Sequence, residues 1–266
     1  MFMVSFKFNN FMFRDLEYVI DPDFSMNSGD FVRFYGANGV GKTTLFNIIA
    51  FNQKVKIGKA EEKFSLIEPV DVIYLPQDYN EFIFNARTVK SFIIGYMESY
   101  GKFSKKQAEV EVTQFFYDHK KLLELNFTIY KKDGKREEFN LHNFNKMHID
   151  KMSGGQKRIL YLIRTFLVLK SVNKSQKFLL MDEPFNDLDQ RNKVFALQLI
   201  AKIRKSDPSI IIALITHMPI VSGMNRLVRF THNEGKIEVF DDTKKSKKLL
   251  DVCRCLFEES DVNYEV

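Results

Sequence analysis

Apolar positions follow two rhythms along this chain. Residues 2–8 alternate apolar with polar, as a half-buried strand does, and Phe11 and Phe13 keep that period. Short strands are expected near Tyr18–Ile20 and Phe24–Met26, and Asn27-Ser28-Gly29-Asp30 has the residue types of a turn. Phe31–Tyr35 reads as a further strand. Val70–Leu75, Phe178–Met181 and Ile210–Thr216 are near-continuous apolar runs, the pattern of strands buried on both faces. Between them the spacing turns helical. Leu45, Ile48 and Ile49 mark a helix over Thr43–Phe51, and Val89, Phe92, Ile93 and Met97 mark one over Thr88–Tyr100. A further helix is expected over Gln107–Leu125, and another over Asn192–Lys205 with Val194, Leu197, Ile200, Ala201 and Ile203 on one side. Strands alternating with helices predict an α/β fold with a mainly parallel sheet.

The stretch between Leu75 and Phe178 differs in character. Residues 88–170 read as a helical subdomain inserted into the αβ core, which takes 1–87 and 171–240. Within it, residues 126–150 hold a Lys-Lys-Asp-Gly-Lys turn (131–135) between Phe127–Tyr130 and Glu138–Leu141, which reads as a polar hairpin-like insertion. Leu227–Phe230 and Lys236–Phe240, joined by Asn233-Glu234-Gly235, predict a hairpin. Residues 241–266 form a tail. Lysines 244, 245, 247 and 248 precede Leu249, Val252, Cys253 and Leu256, a short amphipathic helix that packs on its own domain or docks on a partner.

Chemistry enters at residues 36–43. Gly36, Gly41, Lys42 and Thr43 fit the spacing G-x-x-x-x-G-K-[ST], with a strand before and a helix after. The glycines let consecutive backbone N–H groups turn toward an anion, and the helix N-terminus adds its positive dipole end. Asn38, Gly39, Gly41, Lys42, Thr43 and Thr44 are therefore the nucleotide-binding candidates. Lys42 would reach the terminal phosphates, and the Thr43 hydroxyl would ligate Mg²⁺. Kinases, GTPases and many ATPases share this loop.

Composition narrows little. With 266 residues, 45% of them hydrophobic, the chain can bury a core as one large or two small domains. Its net charge of +6 fits first a solvated lysine-rich surface, and second attraction to nucleic acid or an anionic membrane face. Two cysteines, Cys253 and Cys255, imply free thiols and a reducing compartment. The apolar N-terminus is interrupted by Lys7, Asn9 and Asn10 and does not read as a signal peptide. The longest apolar run, Ile159–Val172, is broken by Arg164 and Lys170, so no membrane span is expected.

Four further stretches point to one family. Met152-Ser153-Gly154-Gly155-Gln156 precedes a helix. Ser153 suits an N-cap, and the two glycines bare the backbone, so this is a second helix N-terminus fitted to a phosphate. It resembles the signature motif of ATP-binding cassette (ABC) ATPases, in which leucine usually stands where Met152 does. Phe178-Leu-Leu-Met-Asp182-Glu183-Pro184 resembles the Walker B strand end. Asp182 would bind Mg²⁺ through water, and Glu183 would act as the base on the attacking water. Asn186-Asp187-Leu188-Asp189 is similar to the family's D-loop, which carries Asp187 and Asp189. Gln77, after Leu75-Pro76, is similar to the Q-loop glutamine that contacts Mg²⁺ and the water. His217 matches the switch histidine that contacts the γ-phosphate. His119, His142, His148 and His232 are left as surface or loop residues. Family members stack adenine on an aromatic residue upstream of the phosphate loop, for which Phe13 is the candidate, with Phe11 or Tyr18 as alternatives.

The order of these motifs over roughly residues 2–240 resembles an ABC ATPase subunit throughout. The resemblance implies an α/β P-loop NTPase core with a mainly parallel sheet, an N-terminal antiparallel β portion and an inserted helical subdomain. It implies ATP and Mg²⁺ as ligands. A second ABC ATPase subunit, identical or different, would close each site with its own Ser153, Gly154, Gly155 and Gln156 or their equivalents. ATP closes such a dimer and hydrolysis opens it. The implied role is to energise a transporter whose polytopic membrane subunits are separate chains, from a cytoplasmic position on the inner face of the cell membrane. Soluble members that act on nucleic acid, in translation or in cofactor assembly are the alternative. Nucleic acid is the less expected partner, because those members usually fuse two cassettes or carry long coiled coils. The Gln77–Ser153 interval and the polar Lys170–Lys177 link are long for the family.

Overall fold

The computed structural model describes residues 5–7, 9–22, 24–57, 59–63, 70–78, 88–101, 103–127, 140–171, 176–219 and 221–259. The chain falls into two compact units. The first comprises Met1–Gln77, Lys174–Pro184 and Ile200–Val266, and the second Asp78–Asn173 and Phe185–Leu199.

In chain order the strands are β1 (Ser5–Lys7), β2 (Phe11–Phe13), β3 (Leu16–Ile20), β4 (Ser25–Asn27), β5 (Phe31–Tyr35), β6 (Lys54–Ile57), β7 (Ala60–Lys63), β8 (Asp71–Leu75), β9 (Lys177–Asp182), β10 (Ile211–Ile215), β11 (Arg226–Asn233) and β12 (Lys236–Asp241). The helices are α1 (Lys42–Phe51), α2 (Val89–Gly101), α3 (Lys105–Asp118), α4 (Lys120–Asn126), α5 (Leu141–Lys146), α6 (Gly154–Ser171), α7 (Gln190–Ser206) and α8 (Lys247–Glu259).

Among the described residues, ten strands form one mixed sheet in the order β7-β6-β2-β3-β12-β11-β5-β10-β9-β8. From β11 through β5, β10 and β9 to β8, every neighbour is parallel. The other end is mostly antiparallel, with β2 paired to β3 and β6, and β6 to β7. The antiparallel portion is not purely N-terminal. The β11–β12 hairpin wedges between β3 and β5, and β12 runs parallel to β3. β10 (Ile-Ile-Ala-Leu-Ile) is buried at every position, as its unbroken apolar run requires. Phenylalanine fills much of this unit's core. Phe34 lies 5.3 Å from Phe46 and 5.5 Å from Phe230, ring centre to ring centre. α1 buries Leu45, Ile48 and Ile49 against the same core, the stripe its spacing predicts.

β7 is the edge strand here, with β6 between it and β2. β6 (Lys-Val-Lys-Ile) alternates polar with apolar over only four residues, β7 (Ala-Glu-Glu-Lys) does not, and in β6 only Val55 is buried. In the middle of the sheet, Arg226 reaches Asp30 at 2.7 Å, and also Asp241, fastening the start of β11 beside the turn before β5.

In the second unit, α2 packs on α3, α5 and α6. The single helix expected over Gln107–Leu125 is two, because His119 leaves the helical backbone. Its ring stacks on Phe115 at 4.2 Å, and its Nδ1 lies 2.8 Å from the Phe115 carbonyl. The expected turn at 131–135 lies outside the described residues. Leu141, taken above as the end of a strand, instead opens α5, because the Asn140 side chain accepts from the His142 and Asn143 backbone N–H groups. Arg164, the charge that interrupts the apolar run of α6, is buried. Its guanidinium sits 3.6 Å from the centre of the Tyr96 ring and 4.3 Å from that of Tyr161.

The tail helix α8 packs through Leu250 and Cys253, whereas Val252 faces solvent. The Gly223 N–H donates to the Cys253 carbonyl at 2.8 Å, so α8 rests on its own unit. Both cysteines are free thiols.

Candidate functional site

Strand register brings the chemistry to one edge. In the parallel pairs, Leu75 faces Met181, Asp182 faces Ile215, and Ile215 also faces Phe34. One or two residues beyond these pairs come Gln77, Glu183, Thr216-His217 and Tyr35-Gly36. All leave the sheet at its carboxyl edge, where α/β folds bind ligands.

The phosphate loop is fixed from below. Gly36 has φ 146°, and a Cβ there would stand 2.4 Å from the Phe230 carbonyl oxygen. Gly41 has φ 95°, and its Cβ would meet Ile237 Cδ1 at 2.6 Å and the Tyr18 hydroxyl at 2.8 Å. That hydroxyl donates to the Gly41 carbonyl at 3.1 Å and also meets the Thr44 side chain; burial pushes the Tyr18 pKa up to about 12. No side chain caps α1, and its first turn carries no acid, so its N-terminal N–H groups and dipole suit an anion. Asn38 and Gly39 are exposed at the loop tip, and Thr43 and Thr44 are half-buried in the first turn. Lys42 is buried, and its Nζ donates to the Gly36 carbonyl at 3.0 Å and the Ala37 carbonyl at 2.8 Å. Burial lowers its pKa against the pull of Glu183 and Asp182.

A cavity of about 250 Å³ groups Lys42, Glu183 and His217 with Arg33, Tyr35, Gly36 and Thr216. Asp182 is fully buried at the end of β9, and Glu183 nearly so. The Glu183 backbone is left-handed, φ 47°, held by its N–H donating to the Ile215 carbonyl at 2.9 Å. Non-glycine residues pay for that conformation, and it aims the carboxylate off the strand line. Burial raises the Glu183 pKa; His217 draws it down and Asp182 pushes it up. His217 is exposed, with Nε2 3.4 Å from Glu183 Oε1. Gln77 is exposed at the same edge but outside the residues lining this cavity.

The donor set fits a magnesium ion. Among the described residues, no three His, Cys, Asp or Glu side chains are grouped to hold a metal. Mg²⁺ takes few protein ligands beside phosphate oxygens and water. The Thr43 hydroxyl and the Asp182 carboxylate match that need, with Gln77 at the same edge.

The second unit holds the other expected residues. Ser153 Oγ accepts from the Gln156 N–H at 3.2 Å, and Gln156 Oε1 accepts from the Ser153 N–H at 3.1 Å, a reciprocal cap on α6. Ser153 and Gly154 are exposed, and Met152 is buried, filling an apolar anchor as leucine would. A Cβ on Gly155 would stand 3.1 Å from the Asp187 carbonyl oxygen, so the signature turn lies against the Asp187-Leu188 backbone. Asp187 has φ 61°. Asp189 Oδ1 accepts from the Asn192 N–H at 2.8 Å and so caps α7.

The aromatic candidates separate by burial. Phe11 and Tyr18 are buried and stacked on each other at 4.6 Å, leaving neither a face for a base. Phe13 is half-buried, with the Arg14 guanidinium 5.3 Å from its ring. Its pairing partner Leu16, rather than Phe13, lines a cleft of about 530 Å³ beside Gly36–Val40. Arg229, Thr231 and His232 line that cleft too. Residue type gave no hint of them, since they lie on the far hairpin and reach the loop only through β11–β5 pairing. Arg33 and Tyr35 were equally silent in the sequence, being two positions of an ordinary strand.

The sequence model of the family described as "ABC transporter" matches residues 19–186. A Bacillus thuringiensis protein named as an ABC transporter ATP-binding protein is 27% identical over 201 residues, 73% of this chain and 31% of its own length. This chain thus spans about a third of that relative. The thiamine import ATP-binding protein ThiQ of Haemophilus influenzae is 27% identical over 217 residues, 79% of this chain and 86% of ThiQ. Among solved structures, the dimeric post-hydrolysis state of the ATP-binding cassette MJ0796 bound to ADP and Pi has a TM-score of 0.59 at 16% identity. That match covers 90% of this chain and 98% of the other.

Proposed function

The chain belongs to the ABC transporter family, and we propose that it is an ATP-binding and hydrolysing subunit that energises a membrane transporter whose membrane-spanning subunits are separate chains. The observation that carries this reading is the cavity that gathers Lys42, Glu183 and His217 at the carboxyl edge of the sheet, beside the phosphate loop.

In this reading Lys42 exchanges its two loop carbonyls for phosphate oxygens, and the N-terminus of α1 holds the remaining charge. Thr43, Asp182 and Gln77 hold Mg²⁺, which neutralises phosphate charge when bound. Glu183 takes the proton of the attacking water, and its burial makes it a stronger base than an exposed glutamate. His217 orients Glu183 and contacts the terminal phosphate. Ser153, Gly154, Gly155 and Gln156 serve the site of a second ABC ATPase subunit, as Asp187 and Asp189 help pair the two. ATP closes the pair and hydrolysis opens it. Phe13, on the strand pair that brings Leu16 to the cleft beside the loop, is the aromatic left to carry the adenine once Phe11 and Tyr18 are stacked on each other.

No helix among the described residues is long and apolar enough to cross a membrane. The transporter reading therefore places the chain peripherally on the inner face of the membrane, held by its polytopic partners. The name of ThiQ, an import ATP-binding protein, supports that role. Purification of the chain from its native membrane is the test. A polytopic membrane protein should come with it and stimulate its ATP hydrolysis. Tight, salt-dependent retention on RNA or DNA, with no membrane protein bound, would contradict the reading.

A further inference from the structure

Arg33 lies on β5, opposite Leu214 of β10, on the strand face that also carries Tyr35. Its guanidinium runs forward along the sheet to the loop after β10. Nε donates to the Thr216 carbonyl at 3.2 Å, and Nη1 donates to the Pro219 carbonyl at 3.5 Å. These two carbonyls bracket His217. The Thr216 hydroxyl accepts from the Met218 N–H at 3.1 Å and tightens the same turn. Arg33 is half-buried against the Tyr35 ring, 5.4 Å from its centre, so the guanidinium is itself held in place. His217, by contrast, has a side chain that is 65% exposed. No packing fixes an imidazole so open to solvent, and its placement 3.4 Å from Glu183 depends on the backbone that carries it.

We propose that Arg33 is a positioning residue for His217, a fork that pins the backbone on both sides of the histidine. The inference rests on the ATPase reading above. A planar guanidinium can donate in two directions at once; a lysine ammonium on a flexible stem can satisfy one carbonyl but does not span both rigidly. Loss of the fork leaves the Lys42 bonds of the phosphate loop in place; it frees the histidine turn, including the His217 backbone that hydrogen-bonds Glu183, and removes a positive charge that faces Glu183.

The test uses the full chain and the variants Arg33→Met, Arg33→Lys, His217→Ala and the double variant Arg33→Met/His217→Ala. Arg33→Met should lower kcat on the order of tenfold, with KM for ATP and Tm close to wild type, and Arg33→Lys should fall between the two. On the His217→Ala background, Arg33→Met should remove clearly less than it does from the wild type, because its route through the imidazole is gone. Amide hydrogen exchange across residues 216–218 should be faster in Arg33→Met whatever the turnover of His217→Ala. Wild-type kcat in Arg33→Met, an equal further loss in the double variant, or unchanged exchange across 216–218 each overturns the proposal. A wild-type chain that hydrolyses no ATP, with exchange still faster in Arg33→Met, instead overturns the ATPase reading and leaves the clamp standing.

Discussion

His217 Nε2 lies 3.4 Å from Glu183 Oε1, across the register that sets β9 beside β10. One partner is buried and the other exposed, so the pair joins the floor of the cavity to its mouth. The buried carboxylate keeps its place through the backbone bond to Ile215, with or without the imidazole. His217→Ala should therefore reduce turnover by roughly ten- to a hundredfold with ATP affinity within about twofold of wild type. Steady-state kinetics beside nucleotide binding separates the two, and a loss of affinity equal to the loss of turnover would place His217 in binding instead.

Gly36 tolerates no side chain. Its left-handed backbone and the Phe230 carbonyl, 2.4 Å from an added Cβ, oppose alanine together. Gly36→Ala should shift the loop, abolish ATP binding and lower Tm by several degrees for a loss of about 1–3 kcal/mol. Gly39 also has a positive φ, 74°, but no atom lies within 4 Å of an added Cβ, so Gly39→Ala should be the milder change. Equal Tm values for the two variants would contradict this steric account.

Ser153 separates a cap from a catalytic contact. Losing its bond to the Gln156 N–H costs a helix about 1 kcal/mol. If Ser153 also meets the nucleotide of a second subunit, Ser153→Ala should cut turnover on the order of tenfold or more while Tm falls only slightly. Turnover that falls no further than the stability change explains would leave Ser153 a cap alone.

Acid should loosen the hairpin side of the sheet. Asp242 Oδ2 accepts from the Tyr35 hydroxyl at 2.6 Å and from Arg229 Nε at 2.8 Å. Burial raises its pKa, but these hydrogen bonds outweigh it and hold the pKa below the ordinary 3.8. Asp207 and Asp241 are lowered in the same way, each against burial, by hydrogen bonds from Ser209 and Thr243 respectively and by cationic partners. A carboxyl whose folded pKa is depressed adds stability that is complete above its unfolded pKa and is lost as pH falls through the folded one. Tm should hold from pH 7 to about 5 and drop below about 4. Asp242→Asn should lower Tm at pH 7 and flatten that drop; an unchanged slope would contradict the assignment.

Much of this arrangement was legible because its spacing is strict. The phosphate loop, the Asp182-Glu183 strand end and the Ser153 turn each combine fixed residue types with an apolar element whose length sets their position. What escaped was set by tertiary neighbours. β6 and β7 form because β2 offers an edge to pair with; the alternation of β6 runs for only four residues, and the glutamates of β7 carry no strand period. The helix break at His119 depends on a ring stack that no period encodes. Of the apolar stripe expected on α8, Cys253 is buried but Val252 is exposed and Leu250 is buried in its stead, because the supporting loop around Gly223 selects the face. Arg33 and Tyr35 face the cavity only because β5 ends beside the histidine turn.

In the proposed reaction Glu183 acts on the water that cleaves ATP held by Lys42. Glu183→Gln keeps the side chain's size and its backbone bond to Ile215 but removes the base. Turnover and nucleotide affinity of this one variant, measured beside its mass in solution with MgATP, decide whether Glu183 does so. Expected are wild-type ATP affinity, turnover reduced at least about a hundredfold, and a dimer that persists with ATP bound. Wild-type turnover in Glu183→Gln would contradict this role.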